Sequence, residues 1–345
     1  MIKNIFVISD IELGQGDLFD DFRDEHILVD FINKITGIKG KNILILNGDT
    51  FDFLKMQYQG AFTHHVTEEI SLSKIDKIIE TYPRIFQALS RFLKKSPNRV
   101  HFNIGNHDHD LHWPSVQKKI RDTLGEPSKI SFDISYQTRD IHVEHGNQVD
   151  YLYKQDPKKP FLTHRGKTLL NLPFGYVAVS RYFIELKRLF PFEEKIYPRH
   201  QAFENFPEFR RQKQKIAFIF GIRGLFLNFL FSLGDPVASV PYFNLFKHVF
   251  QHGLELYDEK KFLQKRFRNL VKLYPDKKVY LMGHLHLIHH EISPHKDRIF
   301  IVTDTWREEY NLSVGKEKVL KPKTYAKITY DNDKLQKVDL LTFDQ

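Results

Sequence analysis

Short apolar, β-branched runs alternate along this chain with longer stretches whose apolar residues recur at helical spacing. NIFVIS (4–9), NILILN (42–47) and RVHFNI (99–104) are strand-like, and each ends at a cluster of Asp, Gly or Asn. That layout predicts a sheet that presents a site at the carboxyl ends of its strands. Residues 73–95 read as a helix, interrupted or kinked near Pro83. Two further runs, at roughly 130–135 and 140–145, lead to His145. Strands return in KVYLMG (278–283), RIFIVT (298–303), TYAKITY (324–330) and KVDLLTF (337–343).

The stretch between differs. Residues 155–275 hold 24 of the 48 aromatic side chains in about a third of the length, and they read as helices joined at prolines such as Pro173, Pro191 and Pro236. The simplest organisation is one discontinuous α/β domain, 1–154 and 276–345, interrupted by a helical, aromatic-rich insertion or lid over 155–275. The first and last parts must then share a sheet.

Composition removes some chemistries. With no cysteine, disulfides, zinc–thiolate sites and thiol nucleophiles are excluded. The first apolar run is short and ends at Asp10, unlike a secretory signal, so a cytoplasmic location is expected. The formal charge of +9 suits an anionic partner, yet no nucleic-acid motif accompanies it, and no nucleic acid is expected.

Five clusters carry the candidate chemistry: Asp10-Ile-Glu12, Gly48-Asp49-Thr-Phe-Asp52, Gly105-Asn106-His107-Asp108, His145-Gly146 and Gly283-His284-Leu-His286. Each follows a strand-like run. Carboxylates to balance charge and imidazoles to complete the shells form the supply of donors that two divalent ions need. Asp52 reads equally as a helix cap or as a residue orienting a ligand. His109 and His112 follow the third cluster at ligand-like spacing.

In this order the clusters resemble the calcineurin-like metallophosphoesterase family, whose motifs run D-x-H, G-D-x-x-D, G-N-H-D/E, H and G-H-x-H. The resemblance covers about 1–150 and 277–310. It implies a four-layer α/β/β/α sandwich with the helical insertion added to it. It also implies a first ion held by Asp10, Glu12, Asp49 and His286, and a second by Asp49, Asn106, His145 and His284. His107, helped by Asp108, would be the catalytic proton donor or phosphoryl-steadying group, and metal-bound hydroxide would attack phosphorus. Ser9-Asp10-x-x-Leu13-Gly14 and Thr303-Asp304-Thr305-Trp306 are similar to a subgroup resembling UDP-2,3-diacylglucosamine pyrophosphatases. Two departures from the subgroup are His107 and Asn147, where it tends to carry Arg and Asp. A third departure concerns the whole family: Glu12 stands where it has His. A carboxylate there is a harder donor and tilts the site towards manganese, with iron, magnesium or zinc as alternatives.

The most apolar stretch is IAFIFGIRGLFLNFLFSL (216–233), preceded by RRQKQK (210–215). Arg223 near its middle, flanked by Gly221 and Gly224, argues against a membrane-spanning helix. A basic flank beside apolar residues suits an anionic membrane surface, giving a peripheral attachment, while a homodimer contact is the alternative. Asp150, Tyr153, Arg223 and Arg307 are the candidate substrate contacts. The expected function is hydrolysis of a lipid-linked or hydrophobic phosphoester or pyrophosphate. The alternatives are a phosphomonoesterase or phosphodiesterase on a soluble substrate, and a non-catalytic scaffold that keeps the fold.

Overall fold

A computed structural model describes residues 1–150, 152–180, 184–197, 200–215, 237, 259–293, 297–311 and 319–343. In chain order the first part contains β1 (Ile2–Ile8), α1 (Glu25–Thr36), β2 (Lys41–Asn47), α2 (Glu68–Thr81), α3 (Pro83–Lys94), β3 (Arg99–Asn103), α4 (Pro114–Leu124), β4 (Ile130–Asp133), β5 (Ser135–Gln137) and β6 (Ile141–Glu144). The helix expected over 73–95 is two helices, because Pro83 has no N–H to continue α2 and instead opens α3 at its first turn.

The middle part is not purely helical. It opens with a hairpin of β7 (Phe161–His164) and β8 (Lys167–Leu170), followed by α5 (Phe174–Ala178), α6 (Ile184–Leu189), β9 (Ile196–Tyr197) and α7 (His200–Asn205). The turn is Arg165-Gly166, with φ of 48° and 76°, the two left-handed residues that a tight hairpin needs. Residues 216–233, including Arg223, lie outside the described residues. Among the described residues no helix is long and apolar enough to cross a membrane.

The chain closes with α8 (Glu259–Leu273), β10 (Val279–Met282), β11 (His289–Ile292), β12 (Ile299–Val302), β13 (Tyr310–Asn311), β14 (Val319–Leu320), β15 (Lys323–Asp331) and β16 (Lys334–Phe343). First and last parts do share sheets. One sheet runs β16-β15-β1-β2-β3-β4 and the other β11-β12-β10-β6-β5. β1 to β4 are parallel, as are β6, β10 and β12.

The two sheets face each other through Ile5, Val7, Ile43 and Ile45 on one side and Ile141, Val143, Val279 and Leu281 on the other. Strand side chains alternate, so the opposite faces must be covered too. Helices α1, α3 and α4 bury Phe31, Phe92 and Ile120 on the first sheet, while α8 lays Leu263, Phe267 and Leu270 over Tyr280 and Val302 on the second. The result is the α/β/β/α sandwich with an inserted aromatic-rich subdomain. At the site end, Asn47 ties the sheets together by donating to the Glu144 carbonyl (3.0 Å) while accepting from Asn103 (2.7 Å).

The loop after β12 closes this end. Thr305 donates to the Asp10 carbonyl (2.7 Å), and fully buried Trp306 packs on Phe31 at 4.9 Å while its indole N–H donates to the Thr324 carbonyl (2.7 Å). Trp306→Ala should therefore lower stability by about 3–5 kcal/mol, through lost apolar burial, a cavity and an orphaned carbonyl. Urea denaturation checks this; a change below about 1 kcal/mol would show that the site loop is not clamped this way.

Candidate metal centre

Every candidate ligand follows the carboxyl end of a parallel strand. Asp10 and Glu12 follow β1, Asp49 follows β2, Asn106 follows β3, His145 follows β6, and His284 and His286 follow β10. Because both sheets point these ends the same way, five separate loops converge. The loops bend sharply to do so. Among the described residues nine non-glycine residues have positive φ, and five of them are Asp10 (54°), Glu12 (57°), Asp49 (49°), His284 (68°) and His286 (52°). Such conformations each cost of order 1–3 kcal/mol and gather where function requires them. Glycine allows the closest approaches. A Cβ on Gly105 would lie 2.1 Å from an Asp49 carboxylate oxygen, and one on Gly283 would lie 1.8 Å from Ser9 Oγ.

The hydrogen bonds orient the imidazoles. His145 Nδ1 lies 2.9 Å from the Asn47 carbonyl, which can only accept, so Nδ1 carries the proton. Its Nε2 then faces Asp49 Oδ2 at 3.1 Å and Asn106 Oδ1 at 3.1 Å. A bare lone pair against two oxygens is repulsive, so a proton or a cation must sit among them. His286 repeats the arrangement, with Nδ1 3.2 Å from Glu309 and Nε2 3.1 Å from Asp10 Oδ1. That Asp10 oxygen is buried and has no hydrogen-bond partner among the described residues. His284 turns its Nε2 to Asp150 at 3.1 Å, and ligand atoms of Asp49, His145 and His284 lie within 4.8 Å of one another. An outer nitrogen held by an oxygen and an inner one aimed at carboxylates is the usual setting of a metal-ligating histidine. The donor set fits divalent cations.

The local potential agrees. Burial drives His145 down, but Asp49 and Asp10 outweigh it and lift the ring to about 9. His107 is likewise disfavoured by burial yet lifted to about 10 by Asp52, Asp49 and Glu12. Asp49 is disfavoured as an anion by burial, and the histidines still hold it well below the usual carboxylate range. Burial and then Asp49 push Asp108 up to about 7. The site is thus an electronegative pit that gathers positive charge.

A second group, Glu12, Asp52 and His107, also brings ligand atoms within 4.8 Å. This pairing differs from the expected set around Asp10 and His286, although Glu12 Oε1 does lie 3.5 Å from His286 Nε2. Asp52 holds His107 Nδ1 at 2.9 Å, which makes it an orienting residue. Asp108 accepts from the backbone N–H groups of Gly105 (2.5 Å) and Thr50 (2.9 Å), so it braces the loops.

The expected substrate contacts are placed unevenly. Asp150 is held down to about 2: burial opposes its charge, but the hydrogen bond from His284 outweighs this, with Arg266 also nearby at 3.4 Å. Arg307 is buried and spends its guanidinium on Glu12 and Glu309. Tyr153 lies edge-on to His284, with ring centroids 5.7 Å apart. Buried His109 has no hydrogen-bond partner on either ring nitrogen among the described residues, and burial pushes it down to about 3. Lys55 and Glu309 escaped the sequence reading, since neither lies in a motif.

Taken together, fold and ligand clusters support a metal-dependent hydrolase. No family model matches the chain, and no curated protein matches it in sequence. Solved structures do resemble it in arrangement. A dimetal phosphatase from Danio rerio shares 9% identity over 99% of both chains, with a TM-score of 0.36. A conserved uncharacterized protein of Streptococcus pneumoniae, described as a predicted phosphoesterase, shares 11% identity over 99% of this chain and 91% of its own, with a TM-score of 0.32. Phosphopantetheinyl hydrolase from Mycobacterium tuberculosis shares 11% identity over 89% of this chain and 91% of its own, with a TM-score of 0.28. Likenesses at this level carry no inference about reaction or substrate.

Proposed function

We propose that this chain is a binuclear-metal-dependent phosphoester hydrolase whose substrate is lipid-linked or otherwise hydrophobic. One observation carries the reading: Asp10, Asp49, Asn106, His145, His284 and His286 converge from five strand ends, with ligand atoms of Asp49, His145 and His284 within 4.8 Å of one another; Asp49 is the proposed bridge between the two ions. Two divalent ions held by these residues would neutralise phosphoryl oxygens and acidify a water. Manganese is the proposed metal. Beside it, His107 is kept protonated by Asp52, and so can steady a phosphoryl oxygen or give its Nε2 proton to the leaving oxygen. Tyr153 is the proposed wall of the substrate entrance.

The preference for an apolar substrate rests on the insertion. Both of its ends return to the centre, through His145 and His284. Arg210, Arg211 and Lys215 are exposed immediately before the apolar run 216–233. Protein interfaces disfavour lysine, whereas anionic headgroups attract it. The proposed location is therefore the surface of an anionic membrane.

Three outcomes are expected. Asp49→Asn should lower metal content and cut hydrolysis by about 10²–10³ or more, measured on phosphomonoesters, phosphodiesters and lipid pyrophosphates with and without detergent. Full activity with two ions retained would end the bridging assignment. His107→Ala should cut turnover by about 10²–10⁴ while leaving metal content unchanged; loss of metal instead would make His107 a ligand. Finally, metal-loaded protein should co-sediment with anionic vesicles more than neutral ones. Changing Phe226, Leu227, Phe229 and Leu230 to Ser should abolish that binding. A wild type that ignores vesicles and forms a dimer broken by the same changes would assign the apolar run to an interface.

A further inference from the structure

The resemblance implies Glu12 as a ligand of the first ion. Its surroundings assign it other work. Lys55 Nζ sits in a cage of four carboxylate oxygens: Glu12 Oε2 at 2.9 Å, Asp21 Oδ2 at 2.7 Å, Asp52 Oδ2 at 2.9 Å and Glu194 Oε2 at 2.9 Å. Lys55 is buried, as are Glu12, Asp21 and Asp52. Arg307 donates through NH1 to both oxygens of Glu12, each at 3.1 Å, and through NH2 to the Glu194 backbone carbonyl at 3.0 Å. Glu194 and Lys187 belong to the insertion, and Lys187 Nζ joins the same network, pairing with Asp21 and lying 2.7 Å from Glu194.

We infer that Lys55 and Arg307 are built-in counter-cations of Glu12, so that Glu12 is not a metal ligand but the anchor through which the insertion is tied to the metal centre. The inference rests on the proposed metal centre and refines its first position. Three physical arguments support it. Glu12 already accepts three charge-assisted hydrogen bonds, on oxygens that must also serve any metal. A dication in contact with Glu12 would lie within a few ångströms of two fixed charges, and repulsion at that range is large in a buried site. Asp10 and His286 have no such burden: Asp10 Oδ1 lacks a hydrogen-bond partner among the described residues and lies 3.1 Å from His286 Nε2. The first ion is therefore held by Asp10, Asp49 and His286. Its shell is one protein ligand poorer than the second, and it should be the more weakly held of the two.

This also explains how Glu12 stands where the resembling family has histidine. An imidazole there would leave two buried cations with one anion fewer, which is costly. In this chain Glu12 supplies the carboxylate that Lys55 and Arg307 both contact.

The test is manganese titration of wild type and Glu12→Gln by native mass spectrometry, together with hydrogen exchange over residues 184–197. The expected result is the same number of ions in both, with the weaker ion's affinity changed less than about threefold, and clearly faster exchange in the variant because its insertion anchor is lost. Loss of one ion, or a tenfold or greater weakening, overturns the inference; so does unchanged exchange. A wild type that binds no manganese would instead sink the metal-centre reading, and this inference with it. Should Glu12→Gln fail to fold, anomalous diffraction from manganese-loaded wild-type crystals decides. Glu12 beyond 3 Å from every ion and still on Lys55 supports the assignment, and a Glu12 oxygen within about 2.3 Å of an ion overturns it.

Discussion

Keeping Asp49 ionised while it is almost wholly buried is the constraint on which the site depends. A lone carboxylate in that position would protonate, because burial disfavours its charge. Nearby cationic groups prevent this. His145 supplies one, His107 another, and the backbone N–H of His107 donates to Asp49 at 2.8 Å. His107 comes from the end of β3 in one sheet and His145 from the end of β6 in the other, so the charge at position 49 can be sustained only if both sheets meet there. The inter-sheet hydrogen bonds of Asn47 and Asn103 and the clamp around Trp306 serve that meeting.

A second network does the same for the other side of the centre. Glu12, Asp21, Asp52 and Glu194 surround one ammonium, and Arg307 bridges Glu12 to Glu309. Glu309 then reaches His286, so the cation network and the candidate ligands are joined through hydrogen bonds. Breaking such a buried set by removing one member is costly, since it leaves a partner charge unpaired. The insertion is held to the site by charge on this side, and by apolar contacts such as Tyr176 in the main core on another. The proposed lid is thus fixed at its base.

Much of this was legible in the sequence. Strand runs ending in Asp, Gly, Asn or His marked the sheet and its ligands together, because β-branched runs and tight polar turns are local signals. The split at Pro83 followed from the missing N–H. The hairpin at 161–170 has a local signal, His-Arg-Gly-Lys between two strand-like runs, but the aromatic composition around it points to helices instead. Lys55 and Glu309 had no signal at all. Their roles depend on side chains 43 and 23 positions away meeting them in space, at Glu12 and His286, and spacing of that kind has no periodicity to read. Arg307 and Asp150 show the converse. Both were singled out as polar residues near the site, yet burial places them in ion pairs and beside a ligand.

The central claim is that this pit of carboxylates and imidazoles holds two divalent cations around Asp49. Native mass spectrometry of the chelator-treated wild-type chain, titrated with manganese, addresses it directly. The account predicts two sequential additions, the second weaker than the first, both reversed by chelator. Saturation without any bound ion, or tight binding that survives replacement of both Asp49 and His145, would contradict it.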